Sequence, residues 1–220
     1  RQKINPTYIL ANTFAIGDGS PDAWEIIQAA KIQPLGNGRF GVSNLLRGQA
    51  GSSGIMPDIW PVGAKVVMLD GSRQQLNLAA SARGTERHFR FGPAKLTMNH
   101  QSYRYAKHAF AGNGLRPYPV AHLKASGSSD LQLDWIRQTR IDGDNWSGLE
   151  VPLGEDAEAY VLQVIQQGVI KRTEVLSQPV FDYPMALRSA DVGTSAFSVS
   201  VAQVSARFGA GPATTIDVGA

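Results

Sequence analysis

Short apolar runs separated by Gly, Pro and Asn recur along the chain, and most of them alternate with a period of two. Successive side chains point to opposite faces only in a strand, so this period predicts sheet in preference to helix. In "WEIIQAAKIQPLGNGRFGVSNLLRG" two such runs flank Gly36-Asn37-Gly38, a hairpin signal because these residues tolerate positive φ. Ser20 and Asp22 are candidate caps for a helix starting at Trp24, but Pro34 and the glycines follow too soon, and a strand is expected. "AKVVMLDG" reads as a buried strand ending in the Asp70-Gly71 turn, and "QQLNLAA" and "ERHFRFGPAKLTM" continue the strand pattern. Neither an amphipathic helix nor an internal repeat is found.

The same reasoning carries into the second half. "VAHLKA" sets Val120, His122 and Lys124 against Ala121, Leu123 and Ala125. "DLQLDWIR" sets Leu131, Leu133 and Trp135 against Gln132, Asp134 and Ile136, and Tyr160, Leu162 and Val164 share a face before a turn at Gln167-Gly168. Phe197, Val199 and Val201 alternate until the register slips at Val204, and a Gly-rich turn precedes a last strand in "FGAGPATTIDV". Several short strands in about 100 residues indicate an antiparallel sandwich.

The order of "LQLDWIR", "AYVLQV" and "FSVSVAQVSARFGAGPATTIDV" resembles a fibronectin type III domain, which departs from the family in a long insertion, "QTRIDGDNWSGLEVPLGEDAE", between its second and third strands. Within it, Asp142 and Asp144 suggest calcium ligands, since hard cations take carboxylate oxygens. The spacing fails, because Trp146 stands where a fifth-position ligand belongs and no glycine follows at six. "Asp-Gly-Asp-Asn" is ordinary turn chemistry. Trp146 either folds back on the core or joins Asp142 and Asp144 in a contact loop.

The loop "NLLRGQAGSSG" (residues 44–54) invites a phosphate-cradle reading, but no lysine with Ser/Thr closes it, and Pro57 works against a following helix. Ser52 and Ser53 lack the Gly-x-Ser-x-Gly spacing of a hydrolase elbow. A tight turn is the expectation.

Composition adds a boundary. Residues 1–118 hold 14 Lys+Arg and 6 Asp+Glu, whereas residues 119–220 hold 7 and 12, and the sign changes at "GNGLRPYPV". Two domains are expected: a basic, strand-rich β domain over 1–117 and a fibronectin type III-like β-sandwich over 118–220. The fold class is therefore all-β. Cysteine is absent, which removes disulfides, thiolate metal sites and cysteine nucleophiles. No run of apolar residues is long enough for a membrane helix, and the first ten residues lack the apolar stretch of a secretory signal. The chain opens on Arg1 without an initiator methionine, which suits a segment of a longer protein.

Arg83, Arg87, Arg90, Arg104 and Lys107, with Lys95, are interleaved with Phe89, Phe91, Tyr103 and Tyr105. Single-stranded nucleic acid or an anionic glycan wants such a mixture, but Arg87 and Arg90 flank Phe89 as on any solvated strand face or protein interface, which is the expectation. His88, His100, His108 and His122 show no helical metal pair, and no nucleophile–base–orienter set can be drawn. No enzyme activity, metal or cofactor is expected.

From Trp24 to near the end, the order of these segments resembles the C-terminal region of the tail-tip, or baseplate hub (host-specificity), proteins of gene transfer agents and related tailed phages. "LLRGxxG" and "RxTRIDGDxW" carry the resemblance most specifically. It implies a virion tail-tip component with hub domains, and often a glycoside-hydrolase-like barrel, upstream. It further implies a homo-oligomer, a trimer about the tail axis, with other tail-tip proteins as partners and roles in host attachment and genome delivery. A host cell-surface glycan and DNA are the further contacts implied. The alternative is a stand-alone carbohydrate-binding module stacking sugars on Trp60, Tyr103, Tyr105, Tyr118 or Trp146.

Overall fold

A computed structural model describes residues 12–70, 76–141 and 151–219. The chain divides into two compact units between Gly114 and Leu115, and each is described by itself. Nearly all regular structure is antiparallel sheet, as the period of two predicts.

In the first unit, β1 (Thr13–Gly17), β2 (Trp24–Gly36), β3 (Arg39–Gln49) and β4 (Lys65–Met68) form a sheet in the order β3-β2-β1-β4. Its small core is Phe14, Ile27 and Ala29, with Ile16 and Ile32 against it. β1 reaches only as far along β2 as Gln28, so the rest of the 13-residue β2 pairs with β3 alone and forms a two-stranded arm. Asn37 and Gly38 close it with φ of 53° and 71°, the two positive values that match a tight turn to the twist of the strands. β5 (Arg87–Phe91) and β6 (Arg104–His108) make a separate hairpin.

Two expectations for this unit are corrected. β4 is an edge strand with Val66 and Met68 exposed, where a buried strand was expected. Nor do residues 76–82 make a strand: the described part of "QQLNLAA" is irregular and ends in a 3-10 turn at Ala80–Ala82. Apolar runs this short do not say whether a second layer covers them.

The second unit packs two sheets. β7 (Ala121–Ser126), β8 (Leu131–Ile136) and β11 (Val180–Tyr183) form one, in the order β11-β8-β7. β9 (Tyr160–Gln166), β10 (Val169–Leu176), β12 (Phe197–Ser205), β13 (Gly209–Ala210) and β14 (Thr214–Val218) form the other, with β9 and β12 at its centre and both β13 and β14 on β12. This is the arrangement of a fibronectin type III-like sandwich. Leu133, Tyr160, Leu162, Val164, Tyr183, Val199 and Val201 are fully buried between the sheets. Trp135 meets Tyr160 edge to face at 5.2 Å, so the two aromatic positions singled out in the sequence form the centre of the core.

The strand period misleads at one place in this unit. Val120 and Leu123 are both buried, although strict alternation sets them on opposite sides. His122 adopts φ of 53°, and the register of β7 against β8 shifts between Ala121 and Lys124, so a bulge turns Leu123 inward. A helix, Met185–Val192, was also not expected. Pro184 precedes it, Gly193 follows it, and Asp130 accepts the Met185 N–H at 2.8 Å, which are recognisable start and stop signals in hindsight.

The helix is tied to both sheets by one carboxylate. Asp191 accepts hydrogen bonds from Arg172 Nε at 2.6 Å and Nη2 at 3.1 Å on β10, and from the Tyr183 hydroxyl at 2.9 Å on β11. The Arg172 bonds hold the Asp191 carboxyl below its ordinary value of 3.8, burial opposes them, and Tyr183 adds to them. A carboxyl depressed in the folded state lends stability that is complete above its unfolded value and is lost as pH falls through the folded one. The urea midpoint of this unit is therefore expected to hold from neutral pH to about 5 and to fall below 4. Asp191→Asn is expected to lower the neutral midpoint and flatten the acid limb, as urea titrations across pH 3–7 would read.

Candidate functional site

The loop that looked like a phosphate cradle is a structural bracket. Glu25, fully buried on β2, accepts Arg47 Nη2 at 2.8 Å and Nε at 3.0 Å, the Gly48 N–H at 3.0 Å, and Trp60 Nε1 at 2.6 Å. Arg47 also donates to the carbonyls of Pro57 and Asp58, at 2.7 and 2.9 Å. Burial pushes the Glu25 carboxyl up, but the bonds from Arg47, Trp60 and Gly48 outweigh it and hold it below its ordinary range. It stays ionised and paired.

Ser52 completes the bracket. Its hydroxyl accepts the Ile26 N–H at 2.9 Å and donates to the Gln49 carbonyl at 2.7 Å. Both hydrogen-bonding functions are spent inside the protein. Gly51 has φ of 79°, and a Cβ there would stand 2.7 Å from Gly114 Cα, so this glycine is required twice. Arg47, Gly48 and Gly51 of "LLRGQAG" thus lock the base of the β2–β3 arm.

Beyond that base the arm exposes apolar side chains. Pro34 lies opposite Phe40 and Ile32 opposite Val42, two successive pairs of one face. Phe40 is 62% exposed and Val42 41%, with Leu45 and Leu46 also open towards the base. Lys31 opposite Ser43, and Gln33 opposite Gly41, occupy the alternate positions.

The second specific motif behaves similarly. Arg137 donates to the Val151 and Pro152 carbonyls, at 2.9 and 2.8 Å. Gln138 and Gln203 exchange two hydrogen bonds, at 2.8 and 2.9 Å. Arg140 pairs with Glu155 at 2.6 Å and lies over the Phe208 ring at 5.3 Å. These residues fasten both roots of the long β8–β9 connection. Asp142, Asp144 and Trp146 lie outside the described residues.

The basic segment does not form a single patch. On the β5–β6 hairpin, Arg87 is opposite His108, Phe89 opposite Ala106 and Phe91 opposite Arg104, all on one face. His88 opposite Lys107 and Arg90 opposite Tyr105 make the other face. There Lys107 pairs with Glu86 at 3.1 Å, Arg90 donates to the Met98 carbonyl at 2.9 Å, and Tyr105 stacks on His88. Arg83 lies off the hairpin, after the 3-10 turn. The five basic residues are thus split between two faces and a turn.

Of the aromatic candidates, Trp60 is committed to Glu25, and Tyr103 covers Gly92, where a Cβ would overlap its ring. Tyr118 is half-buried. His108 Nε2 lies 3.3 Å from Asp22 Oδ1, on the face of the hairpin opposite His88. Among the described residues no group of three or more His, Asp or Glu is placed to hold a metal ion, and no helix is long and apolar enough to cross a membrane.

Sequence reasoning missed Glu25. The signal was there: its alternation with Ile27 and Ala29 puts a carboxylate on the inward face, and a buried charge demands a partner.

Comparison with known proteins adds one family. No curated protein sequence matches the chain. Among solved structures, the Clostridium perfringens spore cortex lytic enzyme SleM aligns with 47% of this chain at 12% identity and a TM-score of 0.32. The chain spans 28% of that enzyme's length. Domains d3-d4 of the rat CD45 extracellular region align with 92% of this chain, covering 99% of their own, at 13% identity and a TM-score of 0.35. Both scores are low, and the sandwich assignment rests on its strand order. Over residues 8–67, which hold the Glu25–Arg47 bracket and the whole arm, the chain is similar to the family described as Rcc01698-like, C-terminal.

Proposed function

We propose that this chain is a structural and binding component of a phage-like tail tip, of the kind carried by gene transfer agents. It serves tail assembly, engagement of the host surface and genome delivery from the baseplate hub. The observation that carries this reading is the arm: two strands with exposed Phe40 and Val42, anchored on the ion pair of Arg47 with the buried Glu25. A rigidly rooted apolar projection fits insertion into a neighbouring subunit. The match of residues 8–67 supports the same reading, because the matched family is associated with a gene transfer agent.

In this reading the arm meets another tail-tip protein or a second copy of the chain, and copies are arranged about the tail axis as a trimer. Symmetric repetition multiplies contacts that are individually weak. Phe40→Asp with Val42→Asp places charge on the arm and leaves the bracket residues and the buried Phe14, Ile27 and Ala29 unchanged in sequence. Incorporation into tail particles is expected to fall by about tenfold or more, with the circular dichroism of the isolated chain unchanged. Normal incorporation of the double variant would remove the arm from the assembly.

A further inference from the structure

We propose that the Phe89–Phe91 face of the β5–β6 hairpin binds single-stranded nucleic acid. This goes beyond assembly, since it uses different residues and a different ligand. The two rings lie 6.0 Å apart between centroids, with planes within 10° of each other. Phe110 closes on Phe89 edge-on at 5.9 Å, which fixes the inner ring, while Phe91 is 54% exposed and presents the outer one. Arg104 stands directly across from Phe91, and Arg87 two residues before Phe89, on the same face. Neither arginine has an ion pair or side-chain hydrogen bond with a described residue, whereas Arg90 and Lys107 on the other face are both engaged. Asp22, 3.3 Å from His108, sits at the Arg87–His108 end of the ladder, away from the Phe91–Arg104 pair.

The repeat of the surface suits a nucleotide strand. Residues two apart on a strand are separated by about 6.7 Å, close to the spacing of successive phosphates in an extended single strand. Each nucleotide offers a planar ring for Phe91 and an anion for an arginine. An acidic polysaccharide offers the anion without the aromatic plane, and a duplex keeps its bases stacked away from an exposed phenylalanine.

Fluorescence anisotropy of a labelled twelve-residue oligo-dT, titrated with the full chain at several salt concentrations, tests this. Phe91→Ala is expected to weaken binding by about tenfold. Phe91→Leu, which keeps apolar bulk without the ring, is expected to weaken it nearly as much. Arg87→Ala with Arg104→Ala is expected to flatten a log–log salt slope of about −1.4, the value for two phosphates on a single strand. Lys107→Ala, on the other face, is expected to change little. Absence of oligo-dT binding overturns the proposal. So does equal binding of duplex DNA or polyglucuronate that ignores both Phe91 variants, because either result reports charge alone. A chain that assembles through the arm yet ignores oligo-dT removes this site and leaves the assembly reading standing.

Discussion

Arg47→Met is expected to destabilise the first unit by about 3–5 kcal/mol, the usual cost of removing one partner from a buried ion pair. The wild-type carboxylate is fully buried and has Arg47 as its ion-pair partner. Without the guanidinium, Glu25 keeps only the Trp60 and Gly48 donors, and the Pro57 and Asp58 carbonyls lose theirs. Hydrogen exchange is the direct readout. Amides of β1 and of the base of β2 are expected to lose about two to four orders of magnitude of protection, while the second unit stays unchanged. Glu25→Gln combined with Arg47→Met is expected to recover part of the loss, since a neutral amide still accepts from Trp60 and no charge is stranded. A change below about threefold in the single variant would mean that the pair contributes little to the unit.

Trp135→Ala is the counterpart in the second unit, with an expected cost of about 3–5 kcal/mol. Trp135 is 3% exposed and fills the space between β8 and β9, against a Tyr160 ring that is fully buried. Its loss opens a cavity within a cluster whose members Leu133 and Val201 are already fully buried. The urea midpoint is expected to drop sharply, and Trp135→Phe, which keeps an edge-to-face partner for Tyr160, to drop it much less. Equal midpoints for the two variants would contradict this, because Phe retains most of the volume that Ala removes.

The sandwich was legible because its buried faces obey a strict period of two: Leu131, Leu133 and Trp135, then Tyr160, Leu162 and Val164, then Phe197, Val199 and Val201. Its exceptions arise where backbone conformation overrides the pattern. His122 in a left-handed conformation reverses one strand's sides, and an eight-residue helix is too short to declare a period against its surroundings. The first unit was less legible. Periodicity places residues on faces but does not say which faces are covered, so β4 was read as buried and the arm as an ordinary hairpin.

For the candidate site, the sequence pointed to the right segments and left their chemistry open. "LLRGQAG" stood out, yet its meaning depends on Glu25, which is 22 residues away from Arg47 and reaches it only through the β2–β3 pairing. The cluster of Arg83 to Lys107 looked like one surface in linear order. The alternation of the hairpin divides it, and the two arginines that share a face with Phe89 and Phe91 come from different strands.

Cysteine accessibility at the arm tests the central claim most directly, because the chain has no cysteine of its own. Val42→Cys introduces one thiol on the exposed apolar face, and maleimide labelling is timed in the free chain and in assembled tail particles. The account predicts rapid labelling of the free chain and protection of at least about tenfold in the particle, with an exposed control at Ser126→Cys reacting alike in both. Equal labelling of Val42→Cys in the two states would contradict it, leaving the arm unoccupied where its contact was expected.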